Sequence, residues 1–242
     1  MNHSRYSLYT YSDIWKDLYK RAYMKENKTD QITSKIELSL LAAELYQKKG
    51  RLSMRDLINS SEMSTAQIYE LFPTKDALLA YAYPSMVFQY WAMIDEIDDF
   101  HRLVISEKLG NFIYTMLEMF SDHELFVKDT FTRLVACKGV KSDFADEVSA
   151  VYKDFLTRDG NLSITAGLVT RPLFYRWMTT QFIALVEFWI RDTSTSKERT
   201  IGLVDRASSL FEDVMYSELI DKGFDFSKYL YTTLNTTFKH KS

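Results

Sequence analysis

Ser53–Leu79, SMRDLINSSEMSTAQIYELFPTKDALL, is the stretch that decides how the rest of the chain is read. It divides into three short helical pieces separated by two breaks. The first, Met54 to Ser60, carries Leu57 and Ile58 on one face. After a break at Ser61–Met63 comes Ser64, a good N-cap because its hydroxyl can accept from a free backbone N–H at a helix start. The second piece, Thr65 to Phe72, sets Ile68, Leu71 and Phe72 three and four residues apart and so buries one narrow stripe. Pro73 stops it, since a proline disfavours helical geometry in the residue before it. Thr74 caps a third helix from Lys75, with Asp76 at the positive end of the macrodipole. Two short helices joined by a tight turn, the second with a thin apolar side and an exposed polar side, describe a helix-turn-helix.

Upstream, Leu38, Leu41, Ala42, Leu45 and Tyr46 have the spacing of one buried helical face, which predicts a helix from about Thr33 to Lys49. Gly50 ends it, and Lys48 and Lys49 lie in the last turn, where cations suit the dipole. Only Arg51 and Leu52 separate that helix from Ser53.

Three groups of residues together resemble the DNA-binding signature of the TetR family of bacterial transcriptional regulators. They are Leu41-Ala42-Ala43-Glu44-Leu45-Tyr46, Ser53-Met54-Arg55-Asp56-Leu57, and Ser64-x-x-x-Ile68-Tyr69-x-x-Phe72-Pro73-x-Lys75-x-Ala77-Leu78-Leu79. The resemblance spans roughly residues 34–82. It implies an all-α protein in three parts. These are an N-terminal extension (1–31), a three-helix helix-turn-helix DNA-binding domain (32–82) and a helical ligand-binding and dimerisation domain (83–242).

Position by position, the resemblance places Ser53, Arg55, Ser64, Thr65, Ala66, Gln67, Tyr69 and Lys75 at the DNA. The second short helix enters the major groove while its partner crosses the backbone. Gln67 has the amide geometry to pair with an adenine edge, and the methyls of Thr65 and Ala66 suit a thymine methyl. Tyr69 sits where the family places an aromatic hydroxyl on the DNA backbone. Lys75 joins a cation to free N–H groups at a helix start, a phosphate site. Three departures, Glu62, Thr65 and Glu70 (where the family commonly has His), weaken the cationic character of this unit. Glu62 stands where the family often has a turn glycine, and Thr65 stands where it commonly has Lys or Arg. Glu70 adds a carboxylate that would repel phosphates unless it is paired or accepts from a cytosine amino group.

The wider composition agrees with a globular chain. Its 242 residues are 46% hydrophobic and 15% aromatic, enough for a sizeable core. No run of eighteen apolar residues occurs, which excludes a helical membrane span, and the first fifteen residues lack the apolar core of an export signal. The single cysteine, Cys137, cannot form an internal disulfide, so the expected setting is a reducing cytoplasm. Overall charge is −3, but it is unevenly spread: residues 1–80 are net +2 and residues 81–242 net −5. The basic side lies with the helix-turn-helix. In the extension, Ile14, Trp15, Leu18 and Tyr19 could line a short helix from Ser12 to Met24. Its lysines offer either a basic arm for phosphates or the minor groove, or a solvated helix packed on the body.

Beyond Ala80 the pattern stays helical. Pro84 is expected at or near the start of a long helix to about Phe100. Further helices are expected over Ser106–Phe120, Asp122–Ala136, Asp143–Leu156, Arg171–Arg191 and Thr195–Leu219, with an irregular last one over Phe226–Phe238. The two before the last carry wide apolar faces and match the pair through which TetR-like proteins dimerise. Phe188, Trp189, Val204, Ala207, Phe211 and Val214 are the interface candidates, although such faces can equally be interior. Tyr114, Met116, Phe120, Phe131, Trp177 and Phe182 are candidates for a pocket taking an apolar or aromatic effector, or simply for core.

Enzyme readings are weak. The four histidines are scattered, and Cys137 has no histidine near it in sequence. The acidic run Asp95, Glu96, Asp98, Asp99 lacks a metal-binding loop, so no metal or cofactor is expected. The expectation is therefore a homodimeric transcriptional regulator. It would most readily be a repressor released from a palindromic double-stranded operator by a small molecule. The alternative is a TetR-fold ligand- or protein-binding module with weak or lost specific DNA binding.

Overall fold

A computed structural model describes residues 26–158 and 172–215, with side chains described over 31–157 and 172–207. Among the described residues the chain is helical and contains no strand. Helix α1 (Glu26–Lys49) is followed by α2 (Met54–Ser61), α3 (Thr65–Leu71) and α4 (Lys75–Asp95). Then come α5 (Ile105–Asp122), α6 (Glu124–Phe131), α7 (Asp143–Arg158), α8 (Pro172–Arg191) and α9 (Glu198–Met215). The first three and the start of α4 make a small head, and the remainder makes a larger body. The expected helices over Ser12–Met24 and Phe226–Phe238 lie outside the described residues.

The fold corrects two sequence expectations. Helix α1 begins at Glu26 rather than near Thr33, so it runs into the segment expected as an extension. Its early residues Ile32 and Ile36 pack against Tyr81, Phe88 and Ala92 of α4, and this tertiary burial carries the helix further than its own periodicity suggests. The second correction concerns Pro84. It does not start a helix but lies inside α4, which runs unbroken from the head into the body. An interior proline costs about 3 kcal/mol, through the lost N–H and the clash with the carbonyl four residues back. Against that, α4 buries Leu78, Leu79, Ala82 and Tyr83 before the proline and Met86, Val87, Tyr90 and Ile94 after it. At roughly 1.5–3 kcal/mol for each large side chain, burial wins. The Ser85 hydroxyl, which donates to Tyr81 O at 2.8 Å, adds a bond beside the missing one. It also meets Ser39 Oγ at 2.9 Å, and two such small residues let α1 and α4 approach closely.

Tyr83 sits at the centre of the body's core. Its ring stacks on Phe126 at 5.2 Å between centroids and meets Phe131, Phe144 and Phe120 edge-on at 5.3, 6.0 and 6.1 Å. Edge-on and offset pairs of this kind suit the ring quadrupoles. The Tyr83 hydroxyl is satisfied by Thr130 Oγ1 at 2.7 Å, and burial pushes the phenol far above its ordinary pKa. Continuous apolar packing links Leu57 and Ile68 of the head to this cluster, so head and body share one core.

Polar contacts strap the same surfaces together. Gln47 Oε1 in α1 accepts from the N–H groups of Leu125 and Phe126 at 2.8 and 3.2 Å. A head side chain thereby satisfies two of the orphan donors at the start of α6. Past Phe131 the chain makes a π-helical turn, Thr132–Ala136, in which Cys137 N–H donates to Thr132 O at 2.9 Å. From that turn Arg133 reaches Asp76, in the first turn of α4, at 2.5 Å.

The corner between α8 and α9 is built on Asp192. One carboxylate oxygen accepts from the Ser194 N–H and hydroxyl at 2.9 and 2.6 Å, the other from those of Thr200 at 2.9 and 2.7 Å. Lys197 Nζ donates to the carbonyls of Asp192 and Trp189 at 2.8 and 3.1 Å. These bonds hold Ser196 and Lys197 at φ of 49° and 59°, a conformation that costs non-glycine residues on the order of 1 kcal/mol or more each.

Candidate nucleic-acid interface

The head presents a helix-turn-helix whose second helix is held by very little. Helix α2 buries Leu57, and its N-cap Ser53 makes no side-chain capping bond. The turn then requires a left-handed residue. Glu62 supplies it at φ 56°, ψ 13°, where glycine would carry no Cβ penalty. That is how the turn is made without the usual glycine.

Helix α3 buries Ile68 alone. Ser64, Thr65, Ala66, Gln67, Tyr69 and Glu70 are all exposed, Tyr69 at 48%. At 100° per residue, Ala66 and Glu70 point most directly away from Ile68, with Tyr69 and Gln67 on either side. Ser64 caps the helix. Its Oγ accepts from Gln67 N–H at 3.3 Å, and Gln67 Oε1 accepts from Ser64 N–H at 2.8 Å, completing a capping box. The stop after α3 is packed as well as steric, because the Phe72 ring lies 5.4 Å from Tyr81 with Lys35 Nζ over its face at 5.8 Å. Thr74 Oγ1 then caps α4 by accepting from Ala77 N–H at 3.1 Å.

The cations around this surface divide into tied and free. Lys49 pairs with Asp56 at 2.7 Å, and Lys75 Nζ lies 3.5 Å from Leu52 O, a long contact that leaves the exposed ammonium available. Arg51 and Arg55 are exposed and have no ion pair among the described residues. Sequence reasoning passes over Arg51. Its position just past the Gly50 cap, beside Ser53, is the signal that points to it. The structure brings all eight sequence-predicted residues, Ser53, Arg55, Ser64, Thr65, Ala66, Gln67, Tyr69 and Lys75, onto the head. All but half-buried Ser53 are exposed.

A family model described as "Tetracyclin repressor-like, C-terminal domain" matches residues 108–230, half of the chain. The chain belongs to the TetR family. A search of curated proteins finds no match. The TetR match lies on the body, so the head is characterised by its own geometry: three helices, the capping box and the exposed polar side of α3. No helix among the described residues is long and apolar enough to cross a membrane.

The body places the remaining candidates unevenly. Met116, Phe120, Phe131 and Phe182 are buried and packed. Phe120 faces Phe131 at 6.1 Å and Trp189 at 6.5 Å, and Phe182 faces Phe112 at 5.1 Å. Tyr114 and Trp177, expected to point inward, do not. The Tyr114 hydroxyl donates to Asp205 near the surface, and Trp177 is 54% exposed with its ring 5.7 Å from Phe174. The wide apolar face of α8 is what makes Trp177 read as interior in the sequence. The helix buries Tyr175, Met178, Phe182, Val186 and Trp189 and turns the opposite stripe outward.

Of the interface candidates, Trp189 and Val204 are buried within the protomer and have no surface to offer a partner. The Trp189 ring is covered by Lys197 Nζ at 4.9 Å. Phe188 and Ala207 are exposed. The side chains of Phe211 and Val214 lie outside the described residues.

Proposed function

We propose that this TetR family protein is a DNA-binding transcriptional regulator. In this reading it is a homodimer that represses from a palindromic operator and is released by a small apolar or aromatic effector. The observation that carries the proposal is α3, a seven-residue helix anchored by one buried side chain, with every other side pointing to solvent except at its C-terminal end. A helix that buries so little stabilises the fold weakly, and its exposed polar face has the size and chemistry to enter a major groove.

Dimerisation is supported by α8. Leu173, Trp177, Ala184 and Phe188 fall within about 60° of one another around the helix, and all are exposed, Leu173 at 75%. Exposed Thr180 interrupts the stripe, which is otherwise apolar and suits the surface of a partner helix. A two-fold axis that sets two copies of α3 one duplex turn apart would let each read one half of a palindrome. Release by an effector follows if the effector favours a body conformation in which that separation is wrong. Helix α4, unbroken from Lys75 to Asp95, is the rigid element that would carry such a change to the head.

The test is a gel shift of the full-length protein on the DNA flanking its own gene. A retarded band that survives excess random duplex supports the reading. A folded dimer that gives no specific band would favour the second reading, a TetR-fold module that binds ligand or protein. That second reading is favoured by the carboxylates of Glu62 and Glu70 on the reading unit and by the pairing of Lys49 with Asp56.

A further inference from the structure

Gln67 Oε1 has two lone pairs, and both are taken. One accepts from Ser64 N–H at 2.8 Å and the other from the Ser64 hydroxyl at 2.8 Å. The orientation of this amide is fixed by chemistry, because a backbone N–H can only donate and the atom facing it must be the oxygen. The Gln67 side chain therefore offers solvent its NH2 group alone, two donors and no acceptor. Three residues on, Glu70 is exposed and has no partner among the described residues, so its carboxylate offers acceptors alone. The two lie about 60° apart around α3, Glu70 nearly opposite Ile68 and Gln67 on the flank, and roughly 4.5 Å apart along the axis, on the order of one base-pair step.

We infer that Gln67 and Glu70 form a donor–acceptor pair that reads two adjoining G·C pairs, Gln67 selecting guanine and Glu70 selecting the amino group of cytosine. This rests on the proposed role of α3 as the reading helix and names what it reads. In the major groove guanine shows two acceptors, N7 and O6, and an amide NH2 can donate to both. Adenine shows N7 beside the N6 amino group, and bidentate pairing with it needs the amide oxygen, which here is saturated. A donor-only group meets the adenine amino group donor to donor. Cytosine shows its N4 amino donor, which a carboxylate accepts and a phosphate-seeking cation would not. The adenine pairing expected from the amide alone is thus replaced by a guanine preference, for a reason that lies in the cap and not in the side chain. Glu70 likewise changes from a defect in a phosphate-binding helix to a reader of bases.

The experiment is selection of duplexes from a randomised library by the full-length protein, repeated with Gln67→Glu and Glu70→Gln. Gln67→Glu keeps the acceptor that completes the capping box and removes the donors, so the helix start remains intact, which a thermal melt verifies. The wild type is expected to enrich a palindrome with guanine at the one pair whose preference collapses, by on the order of tenfold, in Gln67→Glu. At the adjoining pair, cytosine is expected to lose its advantage in Glu70→Gln. Enrichment of adenine at the Gln67-dependent pair, or an unchanged preference in either variant, would overturn the inference while leaving the protein a sequence-specific DNA binder. If a folded wild-type dimer enriches no sequence, the DNA-reading proposal itself fails, and this inference with it.

Discussion

Gln67 Oε1 lies 2.8 Å from Ser64 N, so the residue best equipped to read a base also closes the start of its own helix. With Ile68 the only buried side chain in α3, that cap is a large share of what holds the helix. Gln67→Ala is expected to destabilise the protein by about 1 kcal/mol, and Gln67→Glu by less, since glutamate fills the same capping role. Thermal unfolding of the two variants checks this. Equal losses would mean that the Gln67 side chain is not acting as a cap.

Glu62 holds its left-handed turn at a cost. Replacing it with glycine removes the Cβ penalty of on the order of 1 kcal/mol, against a smaller gain in unfolded-state entropy. Glu62→Gly is therefore expected to be neutral or slightly stabilising. It also removes a carboxylate next to the proposed DNA face, so affinity for DNA should rise. Chemical denaturation and a binding titration measure the two effects separately. A loss of stability would show that the Glu62 side chain contributes a favourable contact that outweighs the strain.

Salt dependence should be modest. Among the described residues, Arg51, Arg55 and Lys75 are the cations free to reach phosphates around α2 and α3, and each phosphate neutralised contributes about −0.9 to the slope of log K against log salt. Lys75→Ala should lower that slope by roughly one unit in a dimer's half-site and weaken all sequences alike, as should Tyr69→Phe without changing the slope. A wild-type slope much steeper than these three cations supply would place further phosphate contacts outside α2, α3 and the start of α4.

Two carboxyls give opposite pH signatures. Burial, with Asp146 and Asp143 adding repulsion, holds Glu147 up at about 7. Its folded value lies above its unfolded one, so the native state binds more protons between about 4.5 and 7, and stability falls as pH rises through that window. Glu147→Gln should stabilise the protein at pH 8 by roughly 1 kcal/mol, after allowance for partial exposure, and do little at pH 5. Asp192 is the reverse. Hydrogen bonds from Ser194 and then Thr200 hold its carboxyl far below the usual range, so its contribution is present above about pH 4 and fades only as pH falls toward the lowered folded value. Asp192→Asn should cost stability at neutral pH and progressively less in acid. Denaturation curves across pH resolve both.

The head is legible from sequence because its signals are local. Caps at Ser64 and Thr74, the stop at Pro73 and the single stripe through Ile68 each act within a few residues, and the helix bounds there agree to within a residue. What is not legible depends on contacts between distant segments. Pro84 reads as a boundary until the apolar side chains on either side of it, Tyr83 and Met86 among them, are seen to be buried. Gln47 gives no local hint that it caps α6, whose Leu125 N–H is seventy-eight residues away. Periodicity finds the apolar residues of α8 but not which side faces the core, so Trp177 reads as interior and Trp189 as interface when each has the other kind of surroundings. Gln67 shows a subtler limit: its chemistry is plain in the sequence, but which of its atoms remain free depends on the Ser64 N–H beside it.

The most direct test of the proposed function is a footprint of the full-length protein on the DNA flanking its own gene. Two protected half-sites are expected, related by a two-fold axis and centred about 34–36 Å or a multiple of that apart, one for each copy of α3. Protection that is lost in the Ala66→Glu variant, whose melt is unchanged, would tie the footprint to the exposed ridge of α3. A folded dimer that leaves the DNA unprotected, or protects a single site without symmetry, would contradict it.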